Sequence, residues 1–416
     1  MSERNTKSPY TVAHLDNGLT VVVEKMPDVR SVAAGFAIKT GARDDPKGLA
    51  GVSHFLEHMM FKGTAKRAWQ QITVDFDRMG SQYNAYTSED RTVFYGWVRT
   101  GDLERQLELL ADMMQSTLPP EEFATEKEVV LEEIAMSADQ LDHVAFDFLQ
   151  EKVFENHALA WPILGYEKTL RPMTRDQMWT YFKKRYVPAN MTLVVAGNVD
   201  PSEVLALAER YCASWKTGDP GDQRVPATLA TGVATLQVER FQQQVVALSF
   251  PSVGAFDSRV ETVSAATTIL GGDNSRFFWN ITQKGLALRA GAYHMDYTDC
   301  GVMILYGTCE PSRCEGFLDA LRAEADHICK EPVTSEEADR VKNKRRTSLA
   351  VEAEAPYYRL TQLMDDMEFY GRPRTVAQRL AQVDAVTPET ILEYFGTHPI
   401  NIQGHLTSVG PRMWPV

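Results

Sequence analysis

His54 and His58 stand four residues apart in the run from Gly51 to Phe61, which holds no proline and is rich in helix formers. Residues four apart share one face of an α-helix, so both imidazoles can be presented to a single point. Glu57 follows His54 by three residues and adds a carboxylate to that face. Two neutral imidazoles with a carboxylate nearby suit a divalent metal such as zinc. A hydrolytic site would need one more protein ligand and an open position for water. The plainer alternative is a helix that happens to carry two histidines near its surface, and the rest of the chain has to decide between the two.

A source of further carboxylates lies downstream. Pro119-Pro120-Glu121-Glu122 has the proline and acidic residues of a first helical turn, and the pattern predicts a helix from there to about Ala138. It carries Glu126, Glu128, Glu132 and Glu133, of which Glu126 and Glu133 are two turns apart and share a face. A solvated acidic face is one reading of these residues. Val129, Val130 and Ile134 on the same helix favour another, in which some carboxylates sit at a buried edge.

The elements that must position these groups are legible around them. Tyr10 to Leu15 and Leu19 to Glu24 read as strands joined by Asp16-Asn17-Gly18, a tight-turn signal, and Ser31 to Lys39 reads as another strand. A polar loop from Gly41 to Gly48 leads into the histidine-bearing helix. Arg67 to Met79 follows as a helix, and two short strands flank Ser88-Glu89-Asp90. Leu103 to Ser116 has apolar residues at helical spacing. Thr174 caps a helix reaching Tyr186, Met191 to Gly197 is a strand, and Pro201 to Trp215 is a helix.

Lys216 to Ala234 is rich in Gly, Pro, Thr and Asp, and it predicts a linker at 218–234 between a domain at 1–217 and another at 235–416. The second part loosely replays the first at an offset of about 215 residues. Gln237 to Phe250 reads as a strand pair, Glu261 to Ile269 as a helix, and Pro332 to Lys344 echoes the glutamate helix. No His-x-x-Glu-His recurs there. A chain of 416 residues with 44% apolar and 24% charged residues fits a globular protein of two domains or more. Its net charge of −13 argues against a nucleic-acid binder. No apolar run approaches a membrane span, and residues 1–10 have no apolar core of a secretory signal, so the cytoplasm is the expected location. The five cysteines lack metal-ligand spacing and are expected to be reduced and mostly buried.

The chain resembles the pitrilysin family of inverted-zincin metallopeptidases, in the short branch that includes mitochondrial processing peptidase. The resemblance rests on Asn17-Gly18-Leu19, on the block from Gly41 to Thr64 with His-Phe-Leu-Glu-His-Met-Met-Phe-Lys-Gly-Thr, and on Asn84-Ala-Tyr-Thr87. Glu126-Lys-Glu-Val-Val-Leu-Glu-Glu-Ile134 and Val187 to Gly197 extend it over nearly the whole chain. It implies an α+β fold of two homologous αβ halves from an internal duplication, each a sheet with helices packed on it, together forming half of a clam-shell. It implies one zinc ion per chain on His54, His58 and Glu133, with Glu57 as catalytic base and Glu126 as a second acidic residue that orients a ligand or tunes the site. Peptide or unfolded-protein substrates would pair with the edge strand holding Asn84, Ala85 and Tyr86.

One departure bears on partners. Active relatives carry an Arg and a Tyr, seven apart, in a segment like Arg-Glu-Lys-Arg-Gly-Leu-Ala-Tyr. Here the region reads Ile281-Thr-Gln-Lys-Gly-Leu-Ala-Leu288, with Ile281 and Leu288 in those places and Arg289 and Tyr293 close by but out of register. The chain is therefore expected to be the zinc-bearing subunit of a heterodimer whose homologous partner supplies the pair. A non-catalytic core-type subunit and a zinc-dependent peptide-binding subunit are the rival readings.

Overall fold

Asp16-Asn17-Gly18 makes the expected turn for a local reason. Gly18 lies at φ +95°, a left-handed backbone that glycine adopts at least cost. The Asn17 side chain accepts from Leu19 N at 3.1 Å and donates to the Cys212 carbonyl at 2.8 Å, tying the turn to a distant helix end. The turn joins β1 (Tyr10–His14) to β2 (Thr20–Lys25) in an antiparallel pair. This computed structural model describes residues 9–219, 221 and 224–415. The segment 1–8, where no secretory signal was expected, lies outside them, as do 220, 222 and 223 of the expected linker.

The chain continues through β3 (Ser31–Ile38), α1 (Val52–Met60), α2 (Trp69–Met79), β4 (Gln82–Thr87), β5 (Thr92–Arg99) and α3 (Leu103–Met113). Helices α4 (Pro120–Ala138), α5 (Leu141–Val153), α6 (Glu167–Leu170) and α7 (Arg175–Arg185) precede β6 (Met191–Gly197) and α8 (Pro201–Cys212). Then come β7 (Gly232–Gln237), β8 (Gln244–Ser252), α9 (Val260–Gly271), β9 (Arg289–Asp296) and β10 (Gly301–Cys309). Helices α10 (Cys314–Lys330), α11 (Ser335–Glu352), α12 (Pro356–Tyr370), α13 (Val376–Asp384) and α14 (Pro388–Thr397) lead to β11 (His405–Gly410). Among the described residues no helix is long and apolar enough to cross a membrane.

The strands form two sheets. The first has the order β1-β2-β6-β3-β5-β4 and the second β7-β11-β8-β10-β9. Apart from β1, which has no counterpart, replacing β2, β6, β3, β5 and β4 by β7, β11, β8, β10 and β9 turns the first order into the second. The sense agrees as well, since β2/β6 and β7/β11 are each sheet's parallel pair. Two homologous αβ halves follow from this match. β3 and β6 read as nearly unbroken apolar runs because both faces of the first sheet are covered. Phe36, Val195 and Val21 meet α1, α3 and α8 on one face, while Ala33, Val194 and Val22 meet Leu360, Leu363 and Met364 of α12 on the other.

Compact units do not follow the chain in two blocks. One comprises Met1–Ile134, Ile163–Arg224 and Ala350–Arg374; the other comprises Ala135–Pro162, Val225–Leu349 and Thr375–Val416. Helix α12 packs on the first sheet and α5 on the second. In the first unit Arg359 of α12 is buried with its Nε 2.9 Å from Glu24 of β2. The strand pair expected within 237–250 needs correction. β7 spans 232–237, partly inside the expected linker, and pairs in parallel with β11 near the far end of the chain, not with β8. Local sequence cannot signal a partner about 170 residues away.

Candidate metal centre

Helix α1 begins where the polar loop can cap it. Asp45 accepts from Gly51 N at 2.6 Å, Ser53 N at 3.1 Å and Ser53 Oγ at 2.7 Å, satisfying donors that a first turn leaves open. Ser53 Oγ also lies 2.7 Å from the Tyr181 hydroxyl. Burial pushes the Asp45 carboxyl up to about 7, against the hydrogen bonds that favour its charge. Gly51 sits at φ +93°, and a Cβ there would lie 2.6 Å from the Leu164 carbonyl oxygen, so the entry to α1 requires glycine. Val52, Phe55, Leu56, Met59 and Met60 then fill the core and leave His54, Glu57 and His58 on the remaining stripe.

Helix α4 brings its carboxylates to that stripe. Glu133 Oε2 is 3.7 Å from His54 Nε2 and 3.6 Å from His58 Nε2, and the three ligand atoms all lie within 4.8 Å of one another. Ligands of a tetrahedral zinc stand about 3.4 Å apart, given bonds of about 2.0–2.2 Å. The set therefore fits such an ion with small side-chain adjustments. Its chemistry fits too: imidazole, imidazole and carboxylate, with the Glu133 side chain 42% exposed. Burial, and then the neighbouring His58, push His54 down to about 3, which leaves it neutral and able to act as a ligand. Its Nδ1 is buried and meets no hydrogen-bond partner among the described residues.

Glu126 takes the other side of His58. Its Oε1 is 2.9 Å from His58 Nδ1 and its Oε2 is 2.5 Å from Lys62 Nζ. Burial opposes the charge on Glu126, but the bonds from His58 and Lys62 outweigh it and hold the carboxyl below its usual range. Burial likewise lowers His58, and the Glu126 bond with the surrounding carboxylates more than reverses that. A carboxylate on Nδ1 directs Nε2 of the same ring toward a metal.

Glu57 is engaged differently from Glu126, which meets His58 Nδ1. Glu57 Oε2 accepts from Thr87 Oγ1 at 2.6 Å. Burial raises its pKa, with the Thr87 bond pulling the other way. Thr87 ends β4, the edge strand of the first sheet. Asn84 is exposed there, and its Oδ1 accepts the Ala85 N–H at 2.9 Å. An N–H so engaged points away from β5, toward the open edge. Tyr86 turns to the face away from α1, packing edge-on against Tyr95 with Arg91 over its ring.

Lys62, Thr87 and the Asp45–Ser53–Tyr181 cap join the site without being expected from the sequence. Lys62 follows His58 by four residues, and that spacing was a usable signal. Thr87 ends the Asn84–Thr87 run, but nothing local aims it at Glu57. In the second unit Ile281 is fully buried in the core, whereas Leu288 is 56% exposed. Arg289 is bound to Asp142 and Thr308, and Tyr293 is exposed on β9.

Two αβ halves, one with His-x-x-Glu-His beside a glutamate helix and one without it, define an M16-type metallopeptidase fold. Residues 20–167 match the family described as Insulinase (Peptidase family M16), and residues 172–345 match the Peptidase M16 inactive domain. The chain belongs to this family. It is 32% identical over 386 residues to a Rickettsia felis protein named "Uncharacterized zinc protease", covering 91% of this chain and 93% of that one. The crystal structure of a protease from Helicobacter pylori shares the fold with a TM-score of 0.90 at 21% identity, over 97% of this chain and 99% of that one. The peptidase M16 inactive domain from Pseudomonas fluorescens does so with a TM-score of 0.89 at 18% identity, over 97% and 98%.

Proposed function

We propose that this chain is the zinc-bearing subunit of an endopeptidase that cuts peptides or unfolded segments in an enclosed clam-shell chamber. The observation that carries the reading is the approach of His54 and His58 Nε2 to Glu133 Oε2, with Glu57 on the same stripe of α1. Zinc held by His54, His58 and Glu133 would supply Lewis acidity toward the attacking water and the scissile carbonyl. Glu57 is the general base: it accepts the water proton and returns it to the leaving amine. Thr87 holds the Glu57 carboxylate, and Glu126, itself paired with Lys62, holds the His58 ring. The substrate adds as a strand to the β4 edge at Asn84, Ala85 and Tyr86, its main chain replacing the Asn84 side chain on the Ala85 N–H.

Ile281 and Leu288 lack the donors of an Arg and a Tyr, so a homologous subunit supplies that pair. We take 1–217 as the metal-bearing domain and 235–416 as its metal-free counterpart, joined at 218–234. Five free cysteines suit a cytoplasmic setting. The test is cleavage of unfolded peptides by the zinc-loaded chain, with and without candidate partners, against its Glu57→Gln variant. Cleavage that survives in Glu57→Gln overturns the mechanism. A second reading, a zinc-dependent peptide-binding subunit, is favoured by Ile281 and Leu288 alone; peptide binding without turnover in every pairing would establish it.

A further inference from the structure

Helix α4 carries both Glu126 and Glu133, so its rotation and its starting point decide whether the two carboxylates reach α1. Side-chain tips stand about 5–6 Å from a helix axis, and a turn of about 10° therefore moves them by about 1 Å. A preorganised site tolerates only about 0.5 Å. Burial of Phe123, Val130 and Leu131 chooses the face of α4 that meets the core, but apolar burial is non-directional. Directional contacts have to supply the rest.

Two cationic side chains do so. Lys127 follows Glu126 and projects from α4 about 100° away from it. Its ammonium donates to the Met173 carbonyl at 2.6 Å and the Arg171 carbonyl at 3.2 Å, and lies 5.2 Å from the centre of the Phe123 ring. Arg175 acts in the opposite sense, from α7 onto the start of α4. Its Nε donates to the Leu118 carbonyl at 2.6 Å and its Nη2 to the Thr117 carbonyl at 2.8 Å. Nη1 stands 3.7 Å from the Asp176 carboxylate, and the guanidinium lies 5.3 Å from the centre of the Trp179 ring. The corner that the fork holds is an unusual one. Leu118 is fully buried at φ +45°, a left-handed backbone that a residue of this bulk rarely adopts, and Pro119 and Pro120 follow it.

Arg171, Met173 and Arg175 belong to one short stretch, from the end of α6 to the first residue of α7. Helix α7 is bound in turn to α1, where the Tyr181 hydroxyl lies 2.7 Å from Oγ of Ser53, the residue before His54. A closed ring of contacts thus runs from α1 through α7 to α4, and back to α1 where Glu126 meets His58. We propose that Lys127 and Arg175 are positioning residues of the metal centre. They set the rotation and the start of α4 so that Glu133 faces both histidine Nε2 atoms while Glu126 faces His58 Nδ1. Both act through the helix, not on the ligand side chains themselves. The proposal rests on the reading of His54, His58 and Glu133 as metal ligands.

The experiment uses the full chain and two readouts that need no peptide cleavage. Zinc affinity is measured by competition with a chelator, and cobalt(II) is loaded in place of zinc because its visible absorption reports the arrangement of the ligands. Lys127→Met should weaken zinc binding by about tenfold, the low end for groups that orient ligands, and should shift the cobalt bands. Arg175→Lys leaves a single ammonium where the fork served two carbonyls, and should move both readouts in the same direction by less. It carries the test where Lys127→Met fails to fold. Val246→Ala, in the core of the second unit, is the control for general loss of stability. It should lower the thermal midpoint of unfolding and leave zinc affinity and cobalt bands native. Native affinity and native bands in both positioning variants overturn the proposal and leave the ligand assignment standing. Equal losses in Val246→Ala overturn it too. A native chain that takes up neither zinc nor cobalt overturns the ligand assignment and the positioning roles together.

Discussion

Thr87 Oγ1 lies 2.6 Å from Glu57 Oε2, so the strand that would carry the substrate also holds the carboxylate that would serve as base. Thr87→Val keeps the shape of the side chain and removes the donor. It should lower kcat by about tenfold, within the range for losing a group that orients a site residue, with little change in KM. Zinc content should stay native, and Thr87→Ser should restore most of the rate. A normal kcat in the valine variant would leave Thr87 a purely structural residue.

Metal content is the direct check on the ligand set. His58→Ala and Glu133→Gln should each lose zinc as measured by mass spectrometry of the metal, from about one per chain. Glu57→Gln should keep it while turnover falls by at least about a hundredfold. Full zinc in His58→Ala contradicts the assignment.

Lys62 and Glu126 act through His58 in this reading. Glu126→Gln cannot balance the charge on the ring in the same way, and zinc affinity should weaken by about 10–100-fold, as is usual for partners of ligand histidines. Lys62→Met should weaken it less, since Glu126 remains. Competition with a chelator measures both, without reliance on peptide cleavage.

If a homologous subunit supplies the Arg/Tyr pair, as proposed, the chain alone should cut slowly. Loss of one oxyanion donor costs about two to three orders of magnitude in rate, and Ile281 and Leu288 have none to offer. Adding a homologue that carries the Arg/Tyr segment should restore the rate. Vigorous cleavage by the lone chain would point instead to Arg289 and Tyr293, and Arg289 would then have to leave Asp142 and Thr308.

The Arg276–Glu337 pair gives the second unit an acid-sensitive contact. Burial alone would raise the Glu337 carboxyl, but Arg276 and the Thr334 cap hold it at about 2. An unfolded glutamate titrates near about 4.3, so the contribution is complete above about pH 5 and fades as pH falls toward 2. Arg276→Met should cost about 1 kcal/mol at neutral pH, a figure reduced for solvent around the pair. The difference from the native chain should shrink steadily between pH 4 and pH 2 in denaturant titrations, following those two pKa values. A constant difference across that range would show that Arg276 acts by packing.

Elements governed by neighbouring residues were legible in advance. Asn17-Gly18 makes a turn because of its own backbone freedom and side-chain bonds, and α4 begins at Pro120 as the proline and acidic residues indicate. β7, by contrast, escaped notice because its six residues gain their pairing from β11. Helix α12 has a proline, Pro356, at its first position, but which sheet α5 and α12 cover is fixed only by the tertiary packing.

By itself the sequence determined that His54, Glu57 and His58 share a stripe, that Glu126 and Glu133 share another, and that the second half lacks such a set. Helical periodicity is a local property, and it chooses which side chains point together. It does not choose what they point at. The tertiary structure decided that Glu126 meets His58 Nδ1 while Glu133 faces both Nε2 atoms, because α1 and α4 are set by cores that bury Phe55 and Val130. It also decided that Thr87 reaches Glu57, since an edge strand and a helix separated by a whole further helix come into contact only through packing on a common sheet.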